Sequence, residues 1–181
     1  LNFAATGKLT FTGGFHYLNT AFNNFRYNNT IGFGGVKLTF PFVHLQGMVF
    51  IGNIRDSSYR QADAVITTYP AGNTKFYTIT RASFGDDFTL TQVAGVQVLK
   101  KAWLEGNITA GQYKILFGND GLYVFDDIDT KKLKMGATIY YLAGKKMTIT
   151  ANYIFDKKIR YGSTNNNFNQ HSITGGLIWN F

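Results

Sequence analysis

Apolar side chains alternate with small or polar ones along most of this chain, with a period of two residues. In the final segment HSITGGLIWNF, apolar residues and glycine recur at every second position back from Phe181: Trp179, Leu177, Gly175 and Ile173. Successive side chains of a strand point to opposite faces, so the pattern predicts a strand with one apolar face. An amphipathic helix would instead repeat its apolar residues every three or four positions.

The same alternation recurs in seven further segments. Each is roughly nine to eleven residues long, the length that a tilted strand needs to cross a bilayer. They are residues 9–17, 32–40, 43–51, 88–98, 102–110, 133–141 and 147–155. Residues that favour strands dominate them, and no run of ~20 apolar residues predicts a transmembrane helix. The sequence therefore predicts an all-β chain.

The connections between these segments differ in length. Three are short: Pro41–Phe42, Leu99–Lys101 and Ala143–Lys146. Three others are long, polar and rich in asparagine: Asn19–Thr30, Phe117–Thr130 and Asp156–Gln170. Tight turns that alternate with long loops are typical of outer-membrane barrels, whose periplasmic turns are short and whose outer loops are long.

The stretch between Arg55 and Asp87 leaves the strand count open. It is either one long loop or a further hairpin, Gln61–Tyr69 with Lys75–Ser83, around the turn sequence Pro70–Asn73. The hairpin gives ten strands and the loop gives eight, and we favour ten. Both numbers are even, which would place both termini on the periplasmic side.

With these features the chain resembles the small outer-membrane β-barrels of Gram-negative bacteria, many of which end in phenylalanine. The last stretch, NYIFDKK…NQHSITGGLIWNF, also resembles the closing hairpin of barrels from Bacteroidota. The resemblance implies a closed, up-and-down antiparallel transmembrane β-barrel of about ten strands, located in the outer membrane. It implies outer-membrane lipid and other outer-membrane proteins as partners.

Composition fits one domain, residues 1–181. Hydrophobic residues make up 45% of the chain at a mean hydropathy of −0.10, which suits strands with one polar face. There is no cysteine, which excludes disulfides and thiolate metal sites. Lysines are scattered rather than gathered on one face, so the net charge of +8 does not predict nucleic-acid binding. Because the chain begins at Leu1, we expect that a signal peptide was removed or that a longer protein precedes it.

Three sets of candidate site residues follow from the alternation. An inward ion-pair network is predicted for Glu105 with Lys8, Lys37, Lys134 and Arg81, because an unpaired charge inside a narrow barrel is costly. A second set, at the outer ends of strands, is predicted to face the phosphates of lipopolysaccharide: Lys131, Lys132, Lys157, Lys158 and Arg160. Aromatic residues predicted at the membrane interfaces are Trp103, Tyr141, Trp179 and Phe181.

Enzymatic chemistry finds little support in the sequence. His171 and Ser172 suggest a lipid A hydrolase, but adjacent strand residues point to opposite faces. His16 and His44 are predicted to be isolated inside the barrel. Asp126, Asp127 and Asp129 do not have the spacing of an EF-hand loop, so no metal site or cofactor is predicted.

We therefore expect a non-enzymatic barrel with a plugged lumen. It would act as a structural or accessory subunit of a larger outer-membrane complex, or bind partners through its surface loops. A narrow channel for small polar or anionic solutes is the first alternative, because cations exceed anions on the predicted inner face. A lipid A-modifying enzyme is the second.

Overall fold

The computed structural model describes residues 1–22, 25–118, 123–144, 146–162 and 166–179. These residues form one antiparallel sheet of eleven strands, in which every strand pairs with its neighbours in the sequence. The strands are β1 (Asn2–Ala4), β2 (Leu9–Phe22), β3 (Phe25–Thr39), β4 (Val43–Ile54), β5 (Ser57–Thr68), β6 (Phe76–Phe84), β7 (Phe88–Leu99), β8 (Ala102–Gly118), β9 (Tyr123–Leu142), β10 (Met147–Ile159) and β11 (Asn167–Trp179). No helix in the described part of the chain is long and apolar enough to span a membrane.

Ten of these strands are long and one, β1, has only three residues. Six of the eight alternating segments lie entirely within long strands; of the other two, residues 32–39 lie in β3 and residues 171–179 lie in β11. The remaining two long strands, β5 and β6, form the hairpin that was one of the two alternatives predicted for residues 55–87. In this hairpin Ala62 lies opposite Phe84 and Thr68 opposite Thr78. A single long loop in this region is therefore wrong. Phe181 lies outside the described residues, as does Lys145 in the β9–β10 connection.

The three segments predicted as long polar loops are mostly strand, and that prediction is wrong. β2 and β3 remain paired as far as Phe22 opposite Phe25, and β8 and β9 as far as Gly118 opposite Tyr123. Polar side chains pair across these ladders, as Asn19 does when its amide donates to the Asn28 side chain at 2.8 Å. Cross-strand pairs of this kind stabilise a hairpin without an apolar face.

The two ends of the sheet differ in the connections between strands that they carry. The proximal end carries the connections 40–42, 69–75, 100–101 and 143–146, and the distal end carries 55–56, 85–87 and 160–166. β1 and β11 are the two edges, and no pairing between them is present among the described residues.

The sheet curls towards one face. The Phe50 ring on β4 stacks on the Phe117 ring on β8 with centroids 5.5 Å apart. In a flat sheet these strands, four places apart, would be separated by about 19 Å. The face that carries Phe50 is therefore concave, and the opposite face is convex.

Candidate functional site

The convex face carries exposed apolar side chains on every long strand. Val49 and Ile51 of β4, for example, are 56% and 62% exposed, whereas the adjacent Met48 and Phe50 are buried. The exposed apolar side chains of this face include Phe11, Phe15, Val36, Leu38, Leu45, Ile66, Phe84, Phe88, Leu90, Val96, Leu104, Ile108, Met135, Ile139, Ile149, Tyr153, Ile173 and Leu177. Water-soluble monomers rarely expose a continuous apolar surface of this extent.

The predicted interfacial aromatic residues divide between the two faces. Tyr141 and Trp179 lie near the proximal end of the convex face and are 46% and 57% exposed. Trp103 is a correction: it is half-buried on the same face as Glu105 and opposite Tyr140, because it is two residues from Glu105 on one strand. Its side chain therefore points into the concavity, and Phe181 lies outside the described residues.

The predicted inward charges lie on several separate parts of the structure. Arg81 pairs with Asp63 on the adjacent strand, with Nε 3.7 Å from Oδ2. Glu105 accepts a hydrogen bond from the Tyr77 hydroxyl, and it takes part in none of the four ion pairs of the described residues. Lys37 and Lys134 are half-buried on the concave face, and Lys8 is exposed in the β1–β2 turn. Among the described residues, Arg81 and Glu105 of the predicted network therefore have separate partners, on β5 and β6 respectively.

Two of the basic residues predicted to face lipopolysaccharide are instead buried on the concave face. Lys131 donates to Asp156 at 2.6 Å and is 3% exposed, and Lys158 donates to Asp127 at 2.6 Å and is 7% exposed. A buried ammonium is held by its carboxylate partner and cannot reach a lipid phosphate. The other three stay at least partly exposed; Lys157 is exposed, Lys132 is half-buried and Arg160 lies 6.0 Å from the Phe168 ring centroid.

Each aspartate of the β9 cluster is engaged separately. Asp126 pairs with Arg55, Asp127 with Lys158, and Asp129 accepts the Tyr161 backbone N–H at 2.9 Å. The described residues contain no group of histidine and carboxylate side chains suited to a metal ion. For Asp127, burial favours a higher pKa, but the hydrogen bonds from Lys158 and the Asp129 backbone hold its pKa below the ordinary value.

His171 and Ser172 do not approach each other as a nucleophile and base would. The His171 ring meets the Tyr153 hydroxyl at 2.8 Å and lies on the convex side beside Phe155. Ser172, as the next residue of the strand, points to the concave side. His16 and His44 are both half-buried on the concave face and contact the Phe33 and Tyr69 rings.

The distal half of β8 crosses the concavity, which the sequence did not predict. The pairing of β8 with β7 ends at Ala110 opposite Leu90, and the pairing with β9 becomes irregular at the same point. Gly111, with φ of 127°, makes the bend. A Cβ at this glycine would lie 2.3 Å from the Phe88 carbonyl oxygen, so no other residue fits. We call residues 112–118 the crossing segment.

The crossing segment is anchored to strands on the far side of the concavity. The Gln61 side chain on β5 donates to the Phe117 carbonyl at 2.8 Å and accepts the Phe117 N–H at 2.9 Å. Phe117 itself is 1% exposed in a cluster with Ile31, Met48, Phe50 and Ile54. Together these contacts fill the distal half of the concavity with apolar side chains.

An ion pair reinforces this crossing. Arg55, in the two-residue β4–β5 turn, contacts Asp126 of β9. Arg55 and Asp56 both have positive φ, 50° and 61°, as a tight hairpin turn requires. The Asn29 side chain accepts the Arg55 N–H at 2.9 Å and so holds the turn in this conformation.

Gln61 and Phe117 are the residues of this site that sequence reasoning missed. The sequence predicts Gln61 only as the start of a possible strand, and Phe117 as the start of a loop. The one sequence signal was Gly111, a glycine between the alternating run 102–110 and an aromatic-rich continuation. No protein-family model matches this sequence, and no curated protein matches it either.

Proposed function

We propose that this chain closes in lipid as a ten-stranded β-barrel of the bacterial outer membrane, non-enzymatic and with an occluded lumen. In this proposal it serves as a structural or accessory subunit of a larger outer-membrane complex. The proximal end faces the periplasm, and the distal hairpins present the surface that partners bind.

The packing of Phe50 against Phe117 is the observation that carries the proposal. It supports an inward curl, because these side chains meet from strands four places apart. It also supports occlusion, because the crossing segment fills the concavity where a pore would pass. Small barrels are commonly filled by their own side chains in this way.

The direction of the strands supports closure between β2 and β11. An unpaired strand edge in hydrocarbon costs several kcal/mol for each unsatisfied backbone group, so an edge pair must form there. β2 and β11 are antiparallel, as closure of an even-numbered barrel requires. The short strand β1 covers only Thr10–Thr12 of the β2 edge.

Conductance in planar bilayers tests the occluded lumen. The intact protein is expected to show no steady unit conductance. Phe117→Ala removes the aromatic ring from the concavity, so a small steady conductance is expected with this variant. Phe88→Ala is the control, because it removes a phenyl ring from the convex face, where Phe88 is 54% exposed. This variant should show no steady conductance. Steady conductance of the intact protein would favour the channel for small polar solutes instead.

Purification in gentle detergent tests the accessory role. The protein is expected to migrate with other outer-membrane proteins on native gels, and a purely monomeric species would count against the proposal. Mass spectrometry of lipid A from cells with and without the protein is expected to show no difference. Altered lipid A would support the enzyme alternative.

A further inference from the structure

Glu105 lies in the proximal half of the concavity, outside the part that the crossing segment fills. Its Oε2 atom accepts a hydrogen bond from the Tyr77 hydroxyl. In the described part of the chain, no other hydrogen bond and no ion pair reaches this carboxylate. Its Oε1 atom is not among the buried side-chain atoms that lack a partner, so this oxygen is open to the concavity.

The glycine at position 95 allows Tyr77 to reach Glu105. Tyr77 on β6, Gly95 on β7 and Glu105 on β8 lie directly opposite one another in neighbouring ladders. A Cβ at Gly95 would lie 2.3 Å from Cζ of the Tyr77 ring, so this ring lies across the glycine. The hydroxyl thereby extends over β7 to the carboxylate and occupies one of its two oxygens.

Aromatic side chains lie on both sides of this carboxylate. Trp103 is two residues before Glu105 on β8, and Tyr140 lies opposite Trp103 on β9. Opposite and diagonal side chains on one face of a sheet are within reach of each other. On the other side, the Tyr69 ring centroid lies 6.5 Å from that of Tyr77. All four aromatic residues are half-buried, so each keeps surface that a ligand in the concavity can contact.

The basic side chains of the concave face leave the charge of Glu105 uncompensated. Arg81 and two lysines pair with aspartates on other parts of this face. Lys134 lies four residues along β9 from Thr138, the residue opposite Glu105, which is about 13 Å. Lys37 forms no ion pair among the described residues. The lysines of the proximal connections at positions 75, 100, 101 and 146 are exposed.

A primary ammonium group fits this arrangement better than other organic cations. Aromatic faces attract a cation that lies within about 6 Å of the ring centroid. Guanidinium binds a carboxylate best through two oxygens, and here Tyr77 occupies one of them. A quaternary ammonium has no N–H to donate to Oε1, whereas a primary ammonium has three.

We infer that the proximal half of the concavity binds the primary ammonium group of an alkyl chain. Glu105 is its ion-pair partner, and Trp103 and Tyr140 are its aromatic wall. A free diamine and the lysine side chain of a polypeptide both carry this group. The inference rests on the proposed function only for the side of the membrane that the site faces, which is the periplasm.

Titration followed by the fluorescence of Trp103 tests this inference in the detergent-folded protein. The chain has two tryptophans, so Trp179→Phe leaves Trp103 as the single reporter. The probes are butylamine, cadaverine and Nα-acetyl-lysine N-methylamide, with butylguanidine, tetramethylammonium and butanol as comparators. The primary amines are expected to change the fluorescence saturably and to bind more tightly than all three comparators.

Glu105→Gln keeps the shape of the side chain and removes its charge. This variant should weaken amine binding about tenfold or more, because a hydrogen bond to a charged group is lost. Asp86→Asn is the matched control, because it removes the same charge from an exposed position in the β6–β7 turn. Its amine binding should be unchanged.

Tyr77→Phe separates the role of this tyrosine in selectivity from a structural role. The variant frees Oε2, so the affinity for butylguanidine should rise relative to that for butylamine. A purely structural role would weaken the binding of both probes equally, and this result would contradict the proposed basis of selectivity.

Three results would overturn the inference: no saturable binding of any primary amine, equal binding by Glu105→Gln, or tighter binding of butylguanidine or tetramethylammonium by the intact protein. Tighter binding of cadaverine than of the lysine derivative would support a free diamine as the ligand, and the reverse would support a polypeptide side chain. These titrations need neither a bilayer nor a partner protein. A negative result would therefore leave the occluded lumen and the accessory role to their own tests.

Discussion

Thr89 holds its hydroxyl in a buried position with no hydrogen-bond partner. Removing such a group should stabilise the folded protein, because the desolvation penalty disappears while the shape is kept. Thr89→Val is therefore expected to raise the free energy of unfolding by about 1 kcal/mol. Urea denaturation in detergent measures this change, with Thr91→Val as the comparison. Thr91→Val should destabilise the protein, since it breaks the bond to Thr109. Destabilisation by Thr89→Val would contradict the claim that the Thr89 hydroxyl has no hydrogen-bond partner.

Asp127 gives the distal ion pairs a predictable response to acid. Its pKa is held below the ordinary value of 3.8 by Lys158, so the folded state favours the carboxylate over the acid. Such a group contributes stability that is complete above pH 3.8 and is lost as the pH falls through its lower folded value. Asp127 lies beyond the predicted spanning run 133–141, where solvent protons reach it.

Unfolding measured across this acid range checks the prediction. The intact protein is expected to lose stability below about pH 4, and Asp127→Asn should lose less over the same interval. Lys158→Gln should also flatten the profile, because it removes the partner that lowers the pKa. Identical slopes for the intact protein and both variants would contradict the role of this pair.

At the residue scale, alternation predicted which face most side chains occupy. It succeeds for Val49 and Phe50 because successive side chains of a regularly paired strand must point to opposite faces. It fails for Lys131, because an extra residue on β9 shifts the register between Lys157 opposite Leu133 and Lys158 opposite Lys131. Lys158 itself follows the alternation of β10, whose even-numbered residues face the concavity. A bulge adds one residue and exchanges the faces beyond it, and no local sequence rule locates that shift.

Among the elements, β8 departs most from what its sequence predicted. The run 102–110 reads as a regular strand, and β8 follows it as far as Ala110. Residues 111–116 have no predicted element and Phe117 is predicted to begin a loop, yet residues 112–118 cross the concavity and carry Phe117. Their position depends on Phe50 and Gln61, which are more than fifty residues earlier in the chain. Local patterns cannot encode a contact of that range.

Gly111 is the position on which the crossing segment depends. Gly111→Ala would combine a φ of 127° with a Cβ 2.3 Å from the Phe88 oxygen. We expect a loss of more than about 2 kcal/mol in the free energy of unfolding. Gly106→Ala on the same strand is the control, because nothing lies within 4 Å of its Cβ position. Comparable urea midpoints for the two variants would show that the bend is not required.

On the scale of the whole molecule, the sheet has two faces that differ in polarity. The convex face carries exposed apolar side chains on all ten long strands, and the concave face holds buried ion pairs and the aromatic cluster. A sheet with this division can bury its apolar surface in a bilayer, provided that its edges pair. The sequence predicted this division, because it requires only the period of two.

Spin labelling along β4 in lipid vesicles tests this account most directly. Single cysteines replace residues 45–51 one at a time, and the accessibility of each label to oxygen, which partitions into lipid, is measured. Labels at Leu45, Val49 and Ile51 are expected to be accessible to oxygen, and labels at Gln46, Met48 and Phe50 shielded from it. Labels at 45, 49 and 51 that are instead accessible only to a water-soluble relaxation agent would contradict a lipid-facing barrel.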